Sequence, residues 1–486
     1  MGVKIGGGIE RVNGKELRYE EFVERYLSKN QPVVLAGLMG DWRACSDWVS
    51  PDGRPNLPFF STHFGLSKVQ VADCNTREFT DQKRVEMSVK EFIDHWLLLG
   101  ADKDPDDGSR QDSICSQNSQ LYLKDWHFVK EYSEYVAYRT PIFFRDDWLN
   151  LYLDHYPMHE NPTSDQDRSD LCCSDYRFVY MGAKGTWTPL HADVFRSYSW
   201  SANVCGQKQW LFLSPNQSHL IYDRNMKYSV YSIFEEVSES KFHGFNKAIW
   251  LECIQEANEI IFVPSGWYHQ VHNMEDTVSI NHNWFNAYNL CWVWDLLSKD
   301  YDEAKGYIED IRDICDDFES LCQRNLAANT GMNFHDFFNF LARFSFATLV
   351  CLSHLFDNEN TSCKSFNQSL TLNLVSIREM AKKMKSVECL AHNQNVIFDF
   401  RENFTTPKFI QLCDSLSRTY GMIHKQQRTN ISLKNIWWDT VGKLGSCDCS
   451  YMVCTPEDLI RIIDHAVSKL GINSYEMNGM SDNGST

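Results

Sequence analysis

Two short motifs carry side chains that could bind one metal ion. In the first, His191 and Asp193 follow a β-type run, and residues two apart on a strand point to the same face. In the second, another β-type run ends in a Pro-x-Gly turn that is followed by His269. Two imidazoles and one carboxylate cover one face of an octahedral ion and leave three positions open, as in non-haem Fe(II) oxygenases. A closed structural zinc site would instead use four ligands, typically including thiolates.

Each of these side chains has a structural alternative when it is taken alone. A single histidine, such as His191 or His269, is more often a packed or surface residue than a ligand. Lys208, which begins another β-type run, would by itself be interpreted as an exposed strand lysine. The joint pattern of two histidines and Asp193 at the ends of β-type runs favours the metal site over these alternatives.

The elements that must position these residues can be predicted from hydrophobic periodicity. Residues 176–286 contain short β-type runs separated by turn residues, which predicts a sandwich or barrel rather than a βαβ array. Before this region, apolar spacing predicts helices over 18–29 and from Ser88 onward, with a short strand at 33–35. After about residue 290 the pattern is helical again, and a last helix is predicted to begin at Thr455.

Composition excludes several classes of protein. The chain of 486 residues is 43% apolar, which is enough for a sizeable core, and its net charge of −18 argues against a broad nucleic-acid interface. No apolar run approaches the roughly 18 residues that would span a bilayer, so no membrane partner is expected. The 17 cysteines include no C-x-x-C pair and are interpreted as reduced packing residues, which predicts a cytoplasmic or nuclear protein.

Taken together, three motifs resemble the jumonji C (JmjC) family of iron and 2-oxoglutarate oxygenases. They lie at residues 191–193, 205–210 and 264–269, and residues 31–35 and 121–127 are similar to the leader region of the same family. The resemblance therefore covers roughly residues 15–290. Within the family, residues 189–203 are most similar to a subgroup of lysyl hydroxylases that act on the translation release factor.

This resemblance implies a mainly β core with α elements, namely a double-stranded β-helix of the jelly-roll or cupin-like kind. It implies three segments: N-terminal helices and strands at 1–150, the catalytic barrel at 151–298, and a helical region at 299–486. Fe(II) would be held by His191, Asp193 and His269, with 2-oxoglutarate and O2 as co-substrates.

The same resemblance assigns residues to the 2-oxoglutarate pocket. Lys208 matches the family lysine that pairs with the distal carboxylate, and Thr188 matches a hydroxyl that binds the same carboxylate. Asn281 lies where a relative carries threonine, and Ser201 lies where a close relative carries a co-substrate-binding asparagine. At these last two positions the sequence departs from the family pattern.

The reaction implied is hydroxylation of a protein side chain, most simply a lysine of the eukaryotic translation release factor, which would promote termination. The alternative is N-demethylation of arginine in a histone tail, which would make the protein a chromatin regulator. A third interpretation is a non-catalytic, cupin-like binding protein. Either substrate is basic and would be attracted by a negative surface. The helices after 290 could also form a homodimer, as appended helices do in relatives.

Overall fold

The computed structural model describes residues 3–100, 119–158, 174–357, 364–391, 398–403, 406–425 and 452–469. The chain divides into two compact units. Unit 1 comprises Met1–Pro141 and Tyr176–Asn283, and unit 2 comprises Ile142–Asp175 and Trp284–Thr486. The leader region thus shares a unit with the barrel, whereas the three-segment division with boundaries at 150 and 298 stays a prediction about independent domains.

Unit 1 is built from two sheets. In chain order, its strands are β1 (Lys4–Gly8), β2 (Glu10–Asn13), β3 (Val33–Ala36), β4 (Lys68–Glu78), β5 (Asp81–Ser88), β6 (Leu121–Trp126), β7 (Arg177–Gly182), β8 (Trp187–His191), β9 (Tyr198–Cys205), β10 (Lys208–Leu213), β11 (Ile249–Gln255), β12 (Glu259–Val263), β13 (Tyr268–Asn273) and β14 (Thr277–Trp284). The smaller sheet has the order β1-β11-β10-β13-β8 and the larger sheet the order β2-β3-β12-β9-β14-β7-β6-β4-β5. The predicted double-stranded β-helix is confirmed.

An apolar cluster lies between the two sheets. Val34, Ile261 and Val263 of the larger sheet pack against Phe212 and Val271 of the smaller one, and all of them are buried. The alternation along β10 and β13 directs one side of each strand into this core. This tightly packed apolar core excludes water and can hold polar side chains on the inner face of the barrel in fixed positions.

Short helices surround the sheets of unit 1: α1 (Tyr19–Phe22), α2 (Ala44–Asp47), α3 (Leu57–Phe64), α4 (Val89–Gly100) and α5 (Phe128–Glu131). The predicted helix over 18–29 is present but ends at Leu27, and α1 continues into a π-helix at Val23–Leu27, which periodicity does not distinguish from α-helix. The helix predicted from Ser88 is α4, and its capping box forms, since the Ser88 backbone N–H donates to Glu91 Oε2 at 2.7 Å.

Unit 2 is helical, as predicted. In chain order, its helices are α6 (Trp148–Leu153), α7 (Leu290–Tyr307), α8 (Phe318–Thr330), α9 (Phe334–Asp357), α10 (Lys364–Met384), α11 (Glu388–Ala391), α12 (Phe400–Asn403), α13 (Pro407–Ile423) and α14 (Pro456–Lys469). Trp148 stacks on Phe344 with ring centroids 4.7 Å apart. One stretch of α9, Phe334–Ser353, is long and apolar enough to cross a membrane, but 83% of it is buried inside the protein, as in the core helix of a globular unit.

Candidate metal and co-substrate site

The three predicted metal ligands lie together at one end of the barrel. His191 ends β8 and is opposite His269 of β13 in the strand register, and Asp193 lies two residues beyond β8. Their ligand atoms are all within 4.8 Å of one another. Among the residues that the structure describes, this is the only such group of three histidine, cysteine or acidic side chains. The geometry fits one divalent ion bound on one face.

Hydrogen bonds orient both imidazoles in the same way. His191 Nδ1 lies 2.8 Å from the Pro189 carbonyl oxygen, and His269 Nδ1 lies 3.2 Å from the Trp267 carbonyl oxygen. Each Nδ1–H can therefore donate to the carbonyl two residues earlier, which leaves Nε2 as the free ligand atom. Each of these hydrogen bonds is formed within the motif that contains the histidine.

The third ligand is positioned by the neighbouring strand. Ser199 of β9 donates its hydroxyl hydrogen bond to Asp193 Oδ2 at 2.7 Å, so the other carboxylate oxygen keeps its lone pairs for an ion. Immediately after Asp193, Phe195 and Arg196 adopt left-handed φ angles of 56° and 51°, which are uncommon for such residues. Arg196 also donates to the Tyr268 hydroxyl at 3.1 Å, which ties this strained turn to the strand that carries His269.

The surroundings of His269 favour the neutral imidazole that a metal requires. Burial and, to a smaller extent, the neighbouring His191 together lower the pKa of His269 to about 4. The rings of Trp210 and Phe212 have their centroids 5.5 Å and 5.7 Å from the His269 ring. They form an apolar wall that excludes water from the side of the triad next to His269.

Lys208 lies inside the barrel at the start of β10, and Phe212 lies near the end of the same strand. Its side chain is buried, and Nζ donates to Ser279 Oγ at 2.7 Å and to the Tyr122 hydroxyl at 3.4 Å. Within the described part of the chain, no carboxylate forms a salt bridge with Lys208, and burial lowers its pKa to about 7. A buried ammonium with only neutral partners is unfavourable by itself, and an anion placed beside it would offset that cost.

A second observation fits a carboxylate in this space. Ser201 lies on the same side of β9 as Ser199, and its buried Oγ has no hydrogen-bond partner among the described residues. The Lys208 ammonium, which has only neutral partners among the described residues, and the Ser201 hydroxyl are donors whose hydrogen bonds the distal carboxylate of 2-oxoglutarate could accept. The residues present therefore fit this co-substrate.

The other two predicted pocket residues are placed differently. Asn281 Nδ2 donates to Ser279 Oγ at 3.2 Å, so the same hydroxyl contacts both Asn281 and Lys208. Thr188 lies on β8 opposite Val271 and is half-buried. The structure therefore joins Asn281 to the lysine through one shared partner, while the roles of Thr188 and Asn281 toward 2-oxoglutarate stay predictions.

Three residues of the site were missed by the sequence interpretation. Tyr122 was noticed only as part of the leader-like motif at 121–127, and Ser199 only as part of the segment at 189–203. Ser279 had no signal at all, because a serine on a predicted strand carries no information about which strand faces it. These three supply the hydroxyl groups that hold Asp193 and Lys208 in place.

Comparison with known proteins gives consistent matches. The cupin-like domain family matches residues 19–289. The arginine-specific demethylase JMJ20 of Arabidopsis thaliana is 57% identical over 469 residues, which is 96% of this chain and 98% of the relative. The 2-oxoglutarate and iron-dependent oxygenase JMJD4 of Danio rerio is 40% identical over 340 residues, covering 67% of this chain and 72% of the relative. JMJD4 of Homo sapiens is 36% identical over 328 residues, covering 66% and 72%.

Proposed function

The chain belongs to the JmjC, cupin-like family of 2-oxoglutarate- and iron-dependent oxygenases, and from this premise we propose that it hydroxylates a basic side chain of a protein substrate. The family predicted from the three motifs is confirmed, as is the likeness to the JMJD4 subgroup. The chain is thus an oxygenase, with Fe(II) and 2-oxoglutarate implied by its relatives. The third interpretation, a non-catalytic cupin-like binding protein, is not supported, because the relatives are named as an oxygenase and as a demethylase.

One observation carries the proposal. The inner face of one barrel holds a compact His–Asp–His group and, on the adjoining strand, a buried lysine that has only neutral partners. Iron with 2-oxoglutarate and O2, when bound, supplies the oxidant that inserts oxygen into a C–H bond. His191, Asp193 and His269 would hold the ion, and Lys208 with Thr188 would hold the distal carboxylate.

The protein must also position the substrate side chain next to the metal ion. The triad leaves one side of an ion open, and two of its three side chains, His191 and Asp193, are half-buried rather than enclosed. A substrate side chain can therefore approach from that side, while Trp210 and Phe212 exclude water behind it. Holding the target carbon close to the ion selects which bond is oxidised.

The first candidate substrate is a lysine of the eukaryotic translation release factor. It is supported by the likeness of residues 189–203 to the lysyl hydroxylase subgroup and by the two JMJD4 relatives. The excess of 65 acidic over 47 basic side chains favours a basic partner. In this case the protein acts in the cytoplasm and promotes termination.

The second candidate is N-demethylation of a methylated arginine, for which a histone tail is the expected substrate. A specific observation favours it, because the relative that matches 96% of this chain is named an arginine-specific demethylase. Both candidates share the first step. Hydroxylation of an N-methyl carbon is followed by loss of formaldehyde, which leaves the nitrogen with a hydrogen. The protein would then act in the nucleus as a chromatin regulator.

Mass spectrometry of two peptides would distinguish the candidates. A release-factor peptide with its lysine and a histone-tail peptide with methylated arginine are incubated with protein, Fe(II), 2-oxoglutarate and ascorbate. A gain of one oxygen on the lysine peptide, absent with His191→Ala, supports hydroxylation. Loss of a methyl group from the histone peptide supports demethylation. Succinate formation without either change would reject both substrates and keep the enzyme class.

The predicted homodimer through the helices after residue 290 is a separate proposal. Sedimentation of the full chain would test it, since a monomer at micromolar concentration would contradict it.

A further inference from the structure

Asn30 lies three residues after the π-helix at Val23–Leu27, at the end of the turn that precedes β3, and has an unusual backbone conformation. Its backbone N–H donates to the Leu27 carbonyl at 3.2 Å, and its φ of 53° lies in the left-handed region. Asparagine is one of the few residues other than glycine that adopts this conformation readily. The chain then turns into Gln31 and Pro32 and enters β3, which pairs with β12.

Three hydrogen bonds connect Asn30 to the turn that leads to His269. Asn30 Nδ2 donates to the Ser265 carbonyl at 2.8 Å, and the Ser265 backbone N–H donates to Asn30 Oδ1 at 2.9 Å. The Trp267 indole N–H donates to the Asn30 carbonyl at 2.8 Å. These contacts join residues 235 and 237 positions apart in the sequence.

The strand register explains why a side chain is needed here. Val33 is opposite Phe262, so continuing the antiparallel ladder places Pro32 opposite Val263, Gln31 opposite Pro264 and Asn30 opposite Ser265. Neither proline has a backbone N–H to donate, so the ladder cannot continue through them. The carboxamide of Asn30 donates to and accepts from the same residue, as a paired strand residue would. It thereby restores the pairing beyond the two prolines.

The turn held in this way delivers a metal ligand. The Trp267 N–H lies 3.4 Å from the Pro264 carbonyl, and Gly266 has a φ of 72°, which closes a tight turn. The Trp267 carbonyl then orients His269 Nδ1. We propose that Asn30 is a positioning residue for the metal site, which fixes the ring of His269 through the turn at 264–267.

The same helical turn also reaches the strand that positions the carboxylate ligand. The Tyr198 hydroxyl donates to the Leu27 carbonyl at 3.0 Å, and the next residue, Ser199, holds Asp193. One short segment, residues 27–30, therefore contacts the supports of two of the three ligands. This shared support links a leader-region element to metal affinity rather than to folding alone.

A matched pair of glycine variants tests the proposal. Asn258 also has a left-handed φ, 65°, and lies at the opposite end of β12, where its side chain is exposed and makes no hydrogen bond among the described residues. Asn30→Gly and Asn258→Gly both keep the backbone conformation, but only the first removes side-chain hydrogen bonds. Metal-free full-length protein is titrated with Co(II), and its absorption spectrum and thermal unfolding are recorded.

We expect Asn30→Gly to bind Co(II) about 10-fold more weakly than the wild type, with a changed absorption spectrum at saturation, and Asn258→Gly to match the wild type. Asn30→Asp keeps the acceptor but loses the donor to Ser265, so an intermediate affinity is expected, and this variant decides the matter if Asn30→Gly does not fold. A lower unfolding temperature with unchanged Co(II) affinity and spectrum would overturn the proposal. The titration involves no substrate, so its outcome is independent of which peptide is modified.

Discussion

The two ends of the inner face of the barrel are built in opposite ways. At the metal end, both histidines are oriented by carbonyls within their own motifs, and two of the three ligands are half-buried. At the lysine end, Lys208 is buried, and its partners Tyr122 and Ser279 come from β6 and β14, which are distant from it in the sequence. Each histidine of the metal end is thus oriented within its own motif, whereas Lys208 depends for both of its hydrogen-bond partners on other strands. Loss of a ligand should therefore act on chemistry alone, and loss of the lysine should act on both co-substrate binding and stability.

Removing a metal ligand tests this comparison most severely. With Asp193→Ala, we expect succinate formation to fall to the level of the protein-free reaction, because two imidazoles alone hold the ion too weakly. The unfolding temperature should change little, since Asp193 is half-buried. A control, His219→Ala, alters an exposed histidine and should keep full activity. Succinate at wild-type rates from Asp193→Ala would show that the ion is held elsewhere.

Removing the lysine should separate the two ends. Lys208→Met should raise the KM for 2-oxoglutarate on the order of 100-fold, corresponding to about 3 kcal/mol for a lost buried charge pair. Co(II) affinity without co-substrate should stay at the wild-type value.

The same variant, Lys208→Met, also tests how the lysine affects the free energy of unfolding. Without 2-oxoglutarate, Lys208→Met should be as stable as the wild type or more stable, because an ammonium with neutral partners is replaced by an apolar chain. Chemical denaturation measures this difference. A loss of several kcal/mol would mean that Lys208 already has a stabilising partner in the free protein.

The pH dependence of co-substrate binding should report the same lysine. Burial lowers its pKa to about 7 in the free protein, and a bound carboxylate favours the charged form, so binding takes up a proton above that pH. Affinity for 2-oxoglutarate should fall as pH rises above 7, by at most about tenfold per unit. Calorimetry in buffers of different ionisation enthalpy measures the uptake, which should be absent from Lys208→Met.

The sign of the stability effect follows from the same pKa. The folded-state pKa of Lys208 lies below the ordinary 10.5, so between about 7 and 10.5 the unfolded chain binds the additional proton. The contribution of this lysine to the free energy of unfolding of the protein without co-substrate therefore increases with pH across that window.

The smallest expected effect concerns the hydroxyl groups around the lysine. Tyr122→Phe removes the longer of the two contacts of Lys208, so the KM for 2-oxoglutarate should rise only about fivefold, for about 1 kcal/mol. Tyr135→Phe is a suitable control, since its hydroxyl contacts Asp47 instead. If Tyr122→Phe matched Lys208→Met, the tyrosine rather than the lysine would dominate binding.

The same contrast explains what could be predicted from the sequence. His191, Asp193 and His269 could be predicted because two short motifs carry the spacing of the three ligands, and their joint pattern favours a metal site. Partners such as Ser279 depend on which strands face each other, and no local pattern encodes that.

At the level of the fold, the barrel strands and the helical region were predicted from periodicity. The hairpin of β4 and β5 that widens the larger sheet was not, and neither was the π-helix that ends near Asn30. The hydrogen bonds between Asn30 and Ser265 join residues that are 235 positions apart. The two prolines interrupt the strand pairing there, so the register of β3 and β12 cannot be inferred from the sequence. Such features follow from tertiary pairing rather than from residue propensity.

The lack of a charged partner for Lys208 among the described residues also has a consequence for the lifetime of the protein in a cell. A dianion that neutralises the buried ammonium binds the folded chain and not the unfolded one, so by mass action it lowers the unfolded fraction that proteases attack. When the concentration of co-substrate is high, degradation of the enzyme should slow, and when it falls, the amount of enzyme should decrease. The lifetime of the enzyme would then follow the concentration of its co-substrate, without a separate regulatory site.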